Sequence, residues 1–188
     1  MKLQQKKPHV LKQKLTQNNM TDWLMNRGHV DLDNDAIVYK CYDFVKNYNL
    51  DYNTDSIYGK FMSIYLSDTN VKHLMPHKWV EFAPLVDAIK KQSNLDTIDR
   101  SWFNIIPNGK EIRAHSHVDS GKAGATYGSF VYYPNVEKED SQIELLLKSK
   151  WVPIPVTTGD WICFKLSSIH RVPKNKTDHP RISVVFNV

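Results

Sequence analysis

The stretch DWICFKLSSIHRVPKNKTDHPRISVVFN, residues 160–187, decides the fold. Residues 160–165 and 181–187 are short runs rich in β-branched and aromatic residues, and the turn-forming segment between Pro173 and Pro180 sets the second run apart. In an extended strand, residues i and i+2 share a face. Over 181–187 this places Arg181, Ser183, Val185 and Asn187 on one side and Ile182, Val184 and Phe186 on the other. The second side is wholly apolar and must be covered. The first carries a cation, a hydroxyl and an amide, so it faces a polar cavity.

Working outward, the same short-strand pattern recurs in WFNII (102–106), EIRAHSH (111–117), YGSFVYY (127–133), QIELLL (142–147) and WVPIPV (151–156). Turn signals stand at Pro107-Asn108-Gly109, Gly121–Gly124, Glu137–Ser141 and Thr158-Gly159-Asp160. Seven or eight short strands over the last ~90 residues predict a jelly roll or barrel. Upstream, Asp33 or Asn34 can cap a helix with Ile37, Cys41, Phe44, Val45 and Tyr48 on one stripe. The Asn/Asp cluster at 47–55 ends it, and a strand-like segment follows at 56–66. Pro84 fits the first turn of a second helix burying Leu85, Val86 and Ile89. These helices are the expected cover for the apolar side of the sheet. The class is α+β: a basic arm over 1–20, a helical support region over 21–100 and a β core over 101–188, forming one domain.

At 188 residues and 41% hydrophobic, the chain can bury a substantial core. The absence of an apolar run of membrane-spanning length, or of a secretory apolar block, leads to the expectation of a cytoplasmic protein. Cys41 and Cys163 form no metal-ligand spacing and read as reduced, small apolar residues. The net charge of +5 comes entirely from Lys2, Lys6, Lys7, Lys12 and Lys14, which all precede the first acid, Asp22. A solvated arm accounts for this pattern, and contact with nucleic acid is the lesser alternative.

Chemistry concentrates in the second half. His115, His117 and Asp119 can share one face near a strand end, and His170 follows Asp119 after fifty intervening residues. Two imidazoles and one carboxylate bind a divalent metal without filling its coordination positions, a set suited to non-haem Fe(II) and oxygen. Arg181 presents a planar fork that matches a carboxylate, and Ser183 can donate to the same group. His115-x-His117, with Gly109 upstream, leaves a cupin-type metal pair open, although the glutamate expected soon afterwards is missing from Ser120-Gly121-Lys122-Ala123. His9, His29, His73, His77 and His179 read as exposed or loop residues, and Trp102, Trp151 and Trp161 as core.

The order His117-x-Asp119, His170, Arg181-x-Ser183 resembles the Fe(II)/2-oxoglutarate-dependent dioxygenase superfamily. The stretch HVDSGKAGATYGSFVYYPN (117–135) is similar to its prolyl-hydroxylase-like branch. The resemblance covers roughly residues 100–188. It implies a double-stranded β-helix (jelly roll) core, and His117, Asp119 and His170 as iron ligands. It also implies that Arg181, Tyr133 and Ser183 hold 2-oxoglutarate. The implied activity uses Fe(II), 2-oxoglutarate and O2, with ascorbate as candidate reductant, and hydroxylates a substrate that the motifs do not identify. A peptide or protein side chain is favoured by analogy, and a small metabolite is the alternative. The loop 120–126 is expected to move over the metal.

Overall fold

The computed structural model describes residues 24–47, 62–64, 75–118 and 127–188. The basic arm, Tyr48, most of the 47–55 and 56–66 segments, Asp119 and the 120–126 loop lie outside the described residues. Ten strands are described: β1 (Leu24–His29), β2 (Met62–Ile64), β3 (Arg100–Ile106), β4 (Ile112–His115), β5 (Ser129–Asn135), β6 (Ile143–Leu147), β7 (Lys150–Ile154), β8 (Asp160–Phe164), β9 (His170–Val172) and β10 (Arg181–Asn187). They form two antiparallel sheets, one of six strands in the order β1-β8-β5-β10-β3-β2 and one of four in the order β4-β9-β6-β7. Such a pair of sheets is a jelly roll, as the strand spacing predicts.

β10 sits inside the larger sheet because both of its edges are paired, with β3 through Arg181↔Ile106 to Asn187↔Arg100 and with β5 through Ile182↔Asn135 to Asn187↔Ser129. Every residue of β10 is buried. Its apolar side, Ile182, Val184 and Phe186, packs with Phe103, Ile105, Phe130 and Tyr132 against the helices, as expected. The helices are α1 (Asn34–Asn47), which buries Ile37, Cys41, Phe44 and Val45, and α2 (Ala83–Ser93), which buries Leu85 and Ile89. Asp33 caps α1 by accepting the Ala36 N–H at 3.0 Å. Pro84 lies in the first turn of α2, where its missing N–H costs nothing. Two 3-10 turns, Pro76–Lys78 and Val80–Phe82, carry Trp79 and Phe82 into the same core. Phe82 meets Phe186 edge-on at 5.3 Å.

The region before residue 100 is not purely helical. β1 joins the larger sheet along β8, from Leu24↔Phe164 to His29↔Asp160, and β2 joins it along β3. Gly28 makes the first of these pairings possible, since a Cβ there would lie 2.8 Å from Cζ2 of Trp161. The turn before β8 needs Gly159 at φ +89°, where a side chain would also strike the His29 ring. No described helix is long and apolar enough to cross a membrane.

Candidate metal and cosubstrate site

The other side of β10 and the inner side of the small sheet enclose one cavity. His115, His117, His170, Tyr133, Arg181 and Ser183 all line it, together with apolar residues such as Val131, Val172 and Val185. Backbone register explains the meeting. β4 pairs with β9 so that His115 lies directly opposite His170. The chain then leaves β4, and the His117 N–H is held by the Leu166 carbonyl at 2.8 Å. One ring nitrogen from each of His115, His117 and His170 falls within 4.8 Å of the others.

Hydrogen bonds fix which nitrogen of each ring carries the proton. His170 Nδ1 lies 3.0 Å from the Ser168 carbonyl and His115 Nδ1 lies 2.8 Å from the Arg113 carbonyl. A carbonyl only accepts, so both rings are protonated at Nδ1 and keep a lone pair on Nε2. His117 Nδ1 lies 3.1 Å from Ser129 Oγ, whose own hydroxyl donates to Asn187 Oδ1 at 2.9 Å. This relay fixes the same tautomer in the third ring. Outer partners of this kind orient metal-binding imidazoles. Burial drives all three rings toward the neutral form. His117 is lowered to about 3, first by burial and then by its neighbour His115. His170 is held well below its ordinary value by burial and by both other rings, and His115 is lowered by burial. Neutral, tautomer-fixed imidazoles suit a divalent transition metal.

At the other end of the cavity, Arg181 is 1% exposed, and its Nε, Nη1 and Nη2 have no hydrogen-bond partner among the described residues. Burial lowers its pKa, against the pull of Tyr133 and Asp140. The guanidinium carbon sits 5.1 Å from the Tyr133 ring centroid. Tyr133 Oη is likewise buried without a partner, and burial pushes that phenol up to about 12 despite the nearby Arg181 charge. Arg181 and Tyr133 attract each other, yet neither makes a well-formed hydrogen bond to the described residues, an arrangement suited to an anion. Ser183 accepts from Asn104 Nδ2 at 3.2 Å, which leaves its hydroxyl proton for a ligand.

The structure therefore brings together five of the six residues predicted for the site, His117, His170, Tyr133, Arg181 and Ser183, and adds His115. Asp119 lies outside the described residues. Alternation separates the tyrosine pair: Tyr133 enters the cavity, whereas Tyr132 points to the helical side and donates to Asn34 Oδ1 at 2.6 Å. Trp102 does more than fill core, since it lines the cavity with its ring edge-on to His117, centroids 5.2 Å apart. Asn104, Ser129 and Asn187 carry no motif signal. Asn104 stands opposite Ser183 in the β3–β10 register and Ser129 opposite Asn187 in the β5–β10 register. Only the pairing of strands reveals their roles.

No family model matches the chain, and no curated protein matches it in sequence. Solved structures do. A Pseudomonas putida prolyl-4-hydroxylase is similar with a TM-score of 0.55 and 17% identity, covering 88% of this chain and 92% of that one. The non-heme alpha-ketoglutarate-dependent epimerase SnoN from nogalamycin biosynthesis is similar with a TM-score of 0.60 and 14% identity, over 85% of this chain and 76% of that one. A prolyl hydroxylase from Trichoplax adhaerens, solved with a hypoxia-inducible-factor peptide, gives 0.52 and 13%, over 82% and 77%. At these identities the likeness is one of fold, and it agrees with the jelly roll read from the strands.

Proposed function

We propose that the chain is an Fe(II)- and 2-oxoglutarate-dependent dioxygenase, which converts 2-oxoglutarate and O2 to succinate and CO2 while one oxygen atom hydroxylates a substrate. The observation that carries this reading is Arg181. A fully buried guanidinium whose three nitrogens make no well-formed hydrogen bond among the described residues is costly unless an anion completes it. It shares its cavity with the histidine cluster. A ligand with a carboxylate at one end and a metal-chelating group at the other fits both ends at once, and 2-oxoglutarate is such a molecule.

Each residue then has a task. His117 and His170, with Asp119, would hold Fe(II), which supplies oxygen activation when bound. Arg181 would pair with the distal carboxylate, Tyr133 would donate its phenol proton to the same group, and Ser183 would be a third donating residue. Val131, Val172 and Val185 keep water from the space between the two ends. A peptide or protein side chain is the substrate class we favour, by likeness to the prolyl hydroxylases of the same fold.

A cupin-type metal barrel that binds a small ligand is the second reading, favoured by the place of His115 in the cluster. Adding Fe(II) and then 2-oxoglutarate without oxygen separates the two. The dioxygenase gives a visible charge-transfer band that needs both components, and succinate once oxygen is admitted. A bound metal with no such band and no succinate would leave the cupin.

A further inference from the structure

The functional proposal uses two of the three imidazoles at the cavity end, and the third is placed no worse than the others. His115 stands opposite His170 in the β4–β9 register with ring centroids 4.2 Å apart, and 5.3 Å from the His117 ring. Its Nδ1 is turned to the Arg113 carbonyl at 2.8 Å, just as Nδ1 of His170 is turned to Ser168, so both rings keep the lone pair on Nε2. A divalent metal takes imidazole nitrogens at about 2.0–2.1 Å, so three of them on one ion stand no more than about 3.6 Å apart. The three ring nitrogens lie within 4.8 Å of one another, so the rings would draw together by about 1 Å to share an ion.

We propose that His115 is a ligand of the metal centre, so that His115, His117 and His170 form a three-imidazole face that retains a divalent metal even when the Asp119 carboxylate is removed. The proposal rests on reading the cavity as a metal site and goes beyond it by assigning a ligand outside the His-x-Asp…His pattern. Three imidazoles alone are a sufficient protein ligand set for a divalent metal. Loss of Asp119 and loss of metal then become separate events. Asp119 would then add negative charge, while the imidazole tripod supplies retention.

The test is Co(II) binding to the metal-free full-length protein, measured in competition with a chelator of known affinity and followed by visible absorption, which reports ligand number and type. Wild type, Asp119→Ala, His115→Asn and the double variant are compared. In His115→Asn the amide can still donate to the Arg113 carbonyl, but no second ring nitrogen remains for the metal. Circular dichroism confirms folding, and His115→Gln replaces any variant that fails it. Asp119→Ala is expected to keep Co(II) within about tenfold of wild type with an altered spectrum. Adding His115→Asn is expected to lower affinity by about 100-fold or more, beyond what an outer-shell partner contributes. If Asp119→Ala itself loses Co(II), or binds equally well with and without His115, the assignment of His115 is overturned. A wild type that takes up no Co(II), and shows no band with Fe(II) and 2-oxoglutarate, overturns the metal-site reading instead.

Discussion

The two sides of β10 are built from alternate residues of one seven-residue strand, yet they are opposite kinds of protein interior. Ile182, Val184 and Phe186 enter a core that helices, 3-10 turns and sheet fill with apolar side chains such as Phe82, Phe103 and Phe130. Arg181, Ser183 and Asn187 stand on a side of comparable burial, where the Arg181 guanidinium, the Tyr133 hydroxyl and the Asn187 Nδ2 have no well-formed hydrogen bond among the described residues. The helical side contributes hydrophobic burial, of order 1.5–3 kcal/mol for each large side chain. The cavity side spends part of that stabilisation to hold charge and donors ready for a ligand. Stability and function are thus separated by a half-turn of one backbone, and mutations on the two sides should have opposite signatures.

Phe186→Ala should show the largest effect. It removes a fully buried ring that meets Phe82 edge-on, and such truncations cost about 4 kcal/mol of stability. Urea unfolding should register that loss, while 2-oxoglutarate affinity in the fraction that remains folded changes little. Arg181→Met should do the reverse. Losing one member of a buried charge pair costs about 3 kcal/mol, near 100-fold, in anaerobic calorimetric titration with 2-oxoglutarate on the Fe(II) protein. Unfolding free energy without ligand should hold or rise, because an apolar chain of similar length replaces an uncompensated buried charge. A marked stability loss in Arg181→Met would mean that the guanidinium is structurally satisfied, and the contrast between the sides would fail.

The same two sides differ in how far the sequence discloses them. Alternation in RISVVFN predicts both the covered face and the cavity face, and the spacing of Ile37, Cys41, Phe44 and Val45 predicts the stripe that covers it. His170, Arg181 and Ser183 are legible as candidates because the chemistry proposed for them needs those residue types in that order. Other parts are not legible, for physical reasons. β1 reads LMNRGH, with too little apolar alternation to announce a strand, and exists because β8 offers it an edge. The β6–β7 hairpin turns on Lys148 and Ser149 at φ 47° and 64°, positions where glycine or asparagine is the usual signal. β9 spans three residues and owes its existence to β4 and β6 on either side. The Ser129–Asn187 relay behind His117 depends on register between strands far apart in sequence.

Protons offer the smallest of these contrasts and the most selective. On the helical side, burial raises the thiols of Cys41 and Cys163 and the phenol of Tyr132 far above neutrality, so none of these groups changes charge between pH 7.5 and 5.5. On the cavity side, burial holds His117 at about 3 and His170 well below 6.5. Between those values and 6.5 the unfolded chain binds protons that the folded rings refuse, so stability is fully present above pH 6.5 and is lost as pH falls below it. For each ring the loss should reach about 1.4 kcal/mol between pH 7.5 and 5.5. Urea unfolding of the protein kept metal-free by a chelator measures it, and in His117→Asn the share of one ring should vanish, while His115, His170 and, on the helical side, His77, all held down by burial, keep theirs. A bound metal should steepen the same slope, since it competes with protons for the same nitrogens. An unchanged pH profile in His117→Asn would show that acid acts elsewhere in the molecule, and that the imidazole cluster is not the place where the cavity side is held poised.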